Sequence, residues 1–136
     1  MSYLLDTNIC IHLFRGDFDL ERKVNRVGIG ACSVSEITIA ELLYGVENSD
    51  PDRRSKNRQN VGLLTTAFAG RILLIGPGFS EYARQKAALK RMGRPVGEFD
   101  LLIGATAITH GLTLVTRNTK DFANLSGIQL ENWIDQ

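Results

Sequence analysis

The chain has few of the residues that brace very small proteins or bind transition metals: its 136 residues include two cysteines and two histidines. Cys10 and Cys32 lack C-x-x-C spacing and sit among apolar neighbours, so they read as buried free thiols, not as a disulfide or half a zinc site. His12 and His110 lie far apart, without H-E-x-x-H or related spacing, and read as structural or surface side chains. A chain of this length buries enough apolar surface to fold without such staples, and residues 1–136 are expected to form one domain. Long apolar runs are missing as well. Nowhere do about 18 uninterrupted apolar residues occur, and Met1-Ser2-Tyr3 lacks the basic segment that opens a secretory leader. A cytoplasmic location without membrane association is the expectation.

An excess of charge of one sign is also lacking. Sixteen Lys and Arg stand against fifteen Asp and Glu, a net charge of +1, which excludes a polycation holding nucleic acid by bulk electrostatics. Two local clusters remain, Arg53, Arg54, Lys56 and Arg58 in one segment and Arg84, Lys86, Lys90, Arg91 and Arg94 in another. Each reads either as a solvated helix face or as counter-charges for phosphates. Gly28 and Gly30 do not start a dinucleotide loop, because G-x-G-x-x-G needs glycine where Ser33 stands. No Walker signature occurs, so a nucleotide site is rejected.

What the chain does have is a repeated strand, polar turn and helix. Tyr3-Leu4-Leu5 is an apolar run stopped by Asp6-Thr7-Asn8, after which Ile9, Ile11, Leu13 and Phe14 follow at helical spacing. Residues 18–27 suit a short second helix and 31–34 a second strand. A helix over 37–46 follows, in which Thr38 and Glu41 have the spacing of a capping box, putting Glu41 in the first helical turn. Asn48-Ser49-Asp50-Pro51 breaks the chain, and a helix with an exposed basic first half runs to Phe68. The apolar run 71–75 reads as a third strand covered on both faces. Phe79, Tyr82, Ala83 and Ala87 mark the next helix, and Glu98-Phe99-Asp100 opens an apolar helix over 101–110, with Gly104, Ala105 and Ala107 allowing close packing. Residues 112–116 form a fourth strand, Asn118 is placed to cap the helix that follows, with Asp121 three residues on, and 128–130 make a short last strand.

Such alternation predicts an α/β fold, a parallel sheet with helices on both faces. In that layout Asp6, Glu41, Asp100 and the Asn118/Asp121 turn fall on one edge of the sheet, where open α/β proteins bind ligands. Each polar residue is open to a second explanation: Asp6, Thr7 or Asn8 as an N-cap, Glu41 as the box partner, Asp100 as a complement to the helix dipole. Their convergence favours a site. Carboxylates 4 Å apart repel by about 4 kcal/mol per pair at an effective dielectric near 20, so something must offset them. With no cysteine or histidine cluster, all-oxygen ligation points to Mg²⁺ or Mn²⁺, which suits phosphodiester hydrolysis.

Four blocks then carry a resemblance: Tyr3-Leu4-Leu5-Asp6-Thr7-Asn8, the run from Ile37 through Glu41 to Val46, Phe99-Asp100-Leu101-Leu102-Ile103-Gly104-Ala105, and Leu114-Val115-Thr116-Arg117-Asn118-Thr119-Lys120-Asp121-Phe122. In order and spacing they resemble the signature blocks of PIN-domain ribonucleases, and more closely those of the VapC toxins of bacterial toxin–antitoxin pairs. The resemblance implies a PIN-like three-layer sandwich, a central parallel β-sheet flanked by helices. It also implies an endoribonuclease dependent on Mg²⁺ or Mn²⁺, acting on tRNA or another structured RNA, held in check by a cognate antitoxin and expected to form a homodimer. Carried over, Asp6, Glu41 and Asp100 match the acidic core, with Asp6 and Asp100 as metal ligands. Thr7, Asn8, Thr116 and Asn118 lie in the same blocks as supporting residues. Where many relatives carry an acid after the Thr-Arg pair this chain has Asn118, and Asp121 is the nearest carboxylate, so the fourth acidic position is open between them. Two rivals remain: a phosphatase with Asp6 as nucleophile, which would want a second Asp where Asn8 stands, and a silent RNA-binding or regulatory module, which would have no use for repelling acids.

Overall fold

Alternate residues of a strand face opposite sides of its sheet, and in β1 (Tyr3–Leu5) both sides are covered: Tyr3 and Leu5 enter one core, Leu4 another. The computed structural model describes residues 2–135. Beside β1 lie β2 (Cys32–Ser35) and β4 (Thr113–Val115), with β3 (Ile72–Leu73) and β5 (Gln129–Glu131) outside them. The order is β3-β2-β1-β4-β5 and every pairing is parallel. Leu4 pairs with Leu114 and Leu5 with Val115, so the two central strands present matching apolar rows to both faces.

The core on the Tyr3 and Leu5 side is filled from α1 (Thr7–Arg15), α2 (Leu20–Val27), α3 (Glu36–Glu47) and α4 (Pro51–Ala67), through Ile9, Leu20, Val24, Leu42, Val46, Val61 and Leu64. On the Leu4 side α5 (Phe79–Met92), α6 (Glu98–His110) and α7 (Thr119–Phe122) contribute Leu89, Leu101, Ile103, Ala107 and Phe122. Three layers result, as the alternating pattern requires. At Gly104 α6 passes close to Leu125, whose side-chain tip would have to shift to admit a Cβ. Cys10 and Cys32 are buried free thiols. His12 Nδ1 lies 3.0 Å from Asp17 and its ring meets Phe18 edge-on, a structural setting. Among the described residues no helix is long and apolar enough to cross a membrane.

Three expectations need correction. The run 71–75 is not a strand covered on both faces: β3 is a two-residue edge strand with Leu74 63% exposed. It stops early because the Glu36 carboxylate takes the Ile75 N–H at 2.6 Å and Ile75 turns helical. Residues 18–27 do not form one helix, since Phe18 and Asp19 take left-handed backbone angles within a 3-10 turn and α2 starts only at Leu20. The capping box of Thr38 and Glu41 is absent as well. Helix α3 starts earlier, capped by Ser35, whose hydroxyl accepts from Ile37 N–H at 3.0 Å. Thr38 is therefore a fully buried residue inside the helix and Glu41 lies beyond its first turn.

Candidate active site

Strand β1 has neighbours on both sides, and the sheet order reverses between it and β4. At such a switch point the crevice beyond the strand ends is a natural binding place. Asp6 leaves β1 there, its N–H still bonded to Val115 O at 2.9 Å. Its carboxylate is buried and held at both oxygens: Oδ1 accepts from Thr7 N–H at 2.8 Å, and Oδ2 accepts from the Thr116 hydroxyl at 2.8 Å. Asp6 thus caps α1 and faces the crevice at once. The Thr116 oxygen also accepts from Asn118 N–H at 3.0 Å, which ties the turn after β4 to the end of β1. Asn118 occupies the N-cap position of α7, but its side chain makes no capping bond. The capping role expected for it is taken over by neither oxygen nor nitrogen of that side chain, because its backbone turns about Thr116 instead.

From the other side of β1, Glu41 reaches Thr7. The Thr7 hydroxyl donates to Glu41 Oε1 at 2.6 Å and lies 3.0 Å from the Thr38 hydroxyl. Asp100 sits half-buried in the first turn of α6, and Asp121 is exposed on α7. Asn8 is exposed at the head of α1. The four acids act on one another. Burial pushes the Asp100 carboxyl up to about 6, and the negative charges of Asp6, Glu41 and Asp121 add to the shift. Burial also raises Asp6; the bonds from Thr116 and Thr7 pull it back, while Glu41 and Asp121 push it up again. No Lys or Arg forms an ion pair with any of the four among the described residues.

A pH dependence follows from these shifts. A carboxyl whose folded pKa lies above its unfolded value contributes stability that is present below the unfolded value and lost as pH rises through the folded one. For Asp100 the window runs from 3.8 to about 6. Metal-free protein should therefore gain melting temperature between pH 7 and pH 5, and Asp100→Asn should show a smaller gain. Equal slopes in thermal scans of the two proteins would show that Asp100 is not under strain.

The donors are all oxygen, which suits hard cations. Among the described residues no three His, Cys, Asp or Glu side chains stand close enough to enclose an ion by themselves. A hydrated divalent ion, which keeps several waters and takes one or two carboxylates, needs no such enclosure. Sequence reasoning named Asp6, Glu41, Asp100, Asp121, Thr7 and Thr116 but took Thr38 only as a cap. Its three-residue spacing from Glu41, which puts both on one helix face, was the available signal.

The chain matches the PIN domain family over residues 3–128. It is 32% identical to the tRNA(fMet)-specific endonuclease VapC of Shigella flexneri, across 98% of each chain. Its structure is similar to that of DNA-bound VapBC from Salmonella typhimurium, with a TM-score of 0.86, 30% identity and 98% of both chains covered. It is also similar to FitAcB from Neisseria gonorrhoeae, with a TM-score of 0.87 and 28% identity over 97% of this chain and 98% of that one. With the acids of all four blocks gathered at one sheet edge and these likenesses running nearly end to end, the chain belongs to the PIN-domain family, among the VapC ribonucleases.

Proposed function

We propose that this chain is a divalent-metal-dependent endoribonuclease and the toxin of a toxin–antitoxin pair, with structured RNA such as tRNA as substrate. The observation that carries this reading is a crevice of mutually repelling acids: Asp100 is pushed up to about 6 by burial and by three neighbouring acids, and among the described residues no Lys or Arg forms an ion pair with any of them. Asp6 and Asp100 would hold Mg²⁺ or Mn²⁺. The ion, when bound, supplies Lewis-acid polarisation of a phosphodiester and a water acidic enough to attack it near neutral pH. Asp6 is suited to ligation because both its oxygens are already oriented by Thr7 and Thr116. Glu41 and Asp121 complete the acidic set around the ion, with Asp121 rather than Asn118 as the fourth acid. A protein antitoxin partner, as the toxin–antitoxin complexes among its structural neighbours suggest, belongs to the same reading, which also has the antitoxin cover the crevice and the chain form a homodimer.

The basic residues are now placed. Arg58 pairs with Glu47 at 3.2 Å, Arg84 with Glu81 at 2.8 Å and Lys86 with Glu98 at 2.7 Å, so one residue of the first cluster and two of the second form ion pairs within the chain. Lys56 lines a groove of about 450 Å³ between α1, α3 and α4, with Arg15 and Glu41 also in its wall. A phosphate backbone leading to the acids can follow that groove. Lys56→Ala should weaken RNA binding and lower the slope of log affinity against log salt by about 0.7–0.9, the loss of one phosphate contact. An unchanged slope in filter binding across a salt series would leave Lys56 as a solvated charge.

The reading as a whole is tested with purified protein and total tRNA, in Mg²⁺, in Mn²⁺ and in EDTA, beside a phosphate-ester substrate. Internal cleavage of RNA with either metal, none in EDTA and no ester hydrolysis are expected. Ester hydrolysis alone would favour the phosphatase, and RNA binding without cleavage the silent module.

A further inference from the structure

Helix α3 carries a buried hydroxyl that the acidic set does not by itself explain. Thr38 is 0% exposed and lies among the apolar residues that fill the middle of the fold. Its Oγ1 is 3.0 Å from Thr7 Oγ1, and among the described residues it has no other polar partner. A buried hydroxyl costs free energy unless it is hydrogen-bonded, so this contact decides why threonine is tolerated here.

The direction of the contact can be worked out. A hydroxyl has one proton to give. Thr7 gives its proton to Glu41 Oε1 at 2.6 Å. Thr38 must then be the donor in the 3.0 Å contact, and the order is Thr38 to Thr7 to Glu41. Two further restraints fix Thr7. Its backbone N–H donates to Asp6 Oδ1 at 2.8 Å, and the threonine side chain, branched at Cβ, has few rotamers in a helix. The Thr7 hydroxyl is thereby held between two residues of one face of α3, and the Glu41 carboxylate in the groove wall is tied to the residue next to Asp6.

We propose that Thr38 is a positioning residue for cleavage: through Thr7 it holds the Glu41 carboxylate in the orientation the acidic crevice needs. This rests on the nuclease reading above, and deepens it. Hydrogen-bonded partners behind an acidic site typically change metal affinity or activity by about 10- to 100-fold when removed.

Two substitutions separate this role from simple packing. Thr38→Val keeps the branched shape and loses the hydroxyl; Thr38→Ser keeps the hydroxyl and loses a methyl. Positioning predicts that Thr38→Val lowers kcat by about 10-fold or more with KM within twofold, while Thr38→Ser stays within about threefold of the parent. Packing predicts the reverse order, with Thr38→Ser the more damaged. Mn²⁺ titration by calorimetry provides a readout independent of turnover: Thr38→Val should bind about 10-fold more weakly and Thr38→Ser like the parent. Melting temperatures establish that each variant folds, and if Thr38→Val does not, Thr7→Val removes the middle hydroxyl from the half-buried end of the same chain and must give the same losses in kcat and Mn²⁺ affinity. Parent-like kcat and Mn²⁺ affinity in a folded Thr38→Val or Thr7→Val, or failure of Thr38→Ser to preserve them, overturns the proposal. Should the parent itself cleave no RNA, the nuclease reading fails, and the Mn²⁺ affinities alone decide whether Thr38 orders the acids.

Discussion

Asp100→Asn should abolish RNA cleavage and yet raise the melting temperature of the metal-free protein. The loss of activity should exceed about a hundredfold, since even partners behind a metal ligand cost about 10- to 100-fold. The gain in stability follows from the balance at the head of α6. An acid in the first helical turn gains about 0.3–1 kcal/mol from the dipole when exposed. Against that stand burial and the charges of Asp6, Glu41 and Asp121, and the raised proton affinity of Asp100 shows that the unfavourable side wins. Among the described residues no hydrogen bond or ion pair holds its carboxylate, so the amide loses little. Thermal melts in EDTA near pH 7.5, beside a tRNA cleavage assay in Mn²⁺, test both halves. A variant that cleaves like the parent would remove Asp100 from the reaction, and one that melts lower in EDTA would return it to a helix-start role.

Added Mn²⁺ should produce the other large effect. Selective binding to the folded state stabilises by RT ln(1 + [L]/Kd), about 2.7 kcal/mol at a hundredfold excess over Kd. For a domain of this size that is a rise on the order of 10 °C. Asp6→Asn and Asp100→Asn should each lose most of the rise. Glu47→Gln, which alters an acid paired with Arg58 on the surface, should keep it. A parent protein whose melting point ignores millimolar Mn²⁺ would argue that the acids hold no ion.

Much of this was legible before any coordinates, and the reasons are local. Tyr3-Leu4-Leu5 followed by Asp6 is a short apolar run with a polar residue at its end, which reads as a strand entering a turn, and it became β1 with Asp6 as both cap and crevice acid. The spacing of Phe79, Tyr82, Ala83 and Ala87 fixed α5, and the apolar run after Asp100 fixed α6. What the sequence hid depended on contacts between distant segments. Residues 71–75 look like any central strand; only the sheet order makes β3 an edge, and only Glu36, 39 positions earlier, explains why it ends at Leu73. Likewise Thr38 and Glu41 satisfy a local capping rule, but Ser35 supplied the better cap. The threonine was then free to face Thr7, 31 residues away. At the fourth block, the choice between Asn118 and Asp121 rests on position: Asn118 contributes its backbone to Thr116, while Asp121 adds charge to Asp6 and Asp100.

The bond from Thr116 to Asp6 spans 110 positions, and β1 gains its second neighbour only when β4 pairs with it. Synthesis runs from the amino terminus at about 5–20 residues per second, so Asp6 is made well before its partner Thr116. While the growing chain still lacks β4, one side of β1 is open and the Asp6 carboxylate has no Thr116 to orient it. Asp100 is also late, and α7 follows it. The crevice is thus completed only once α6 and β4 have both been made and β4 has paired with β1.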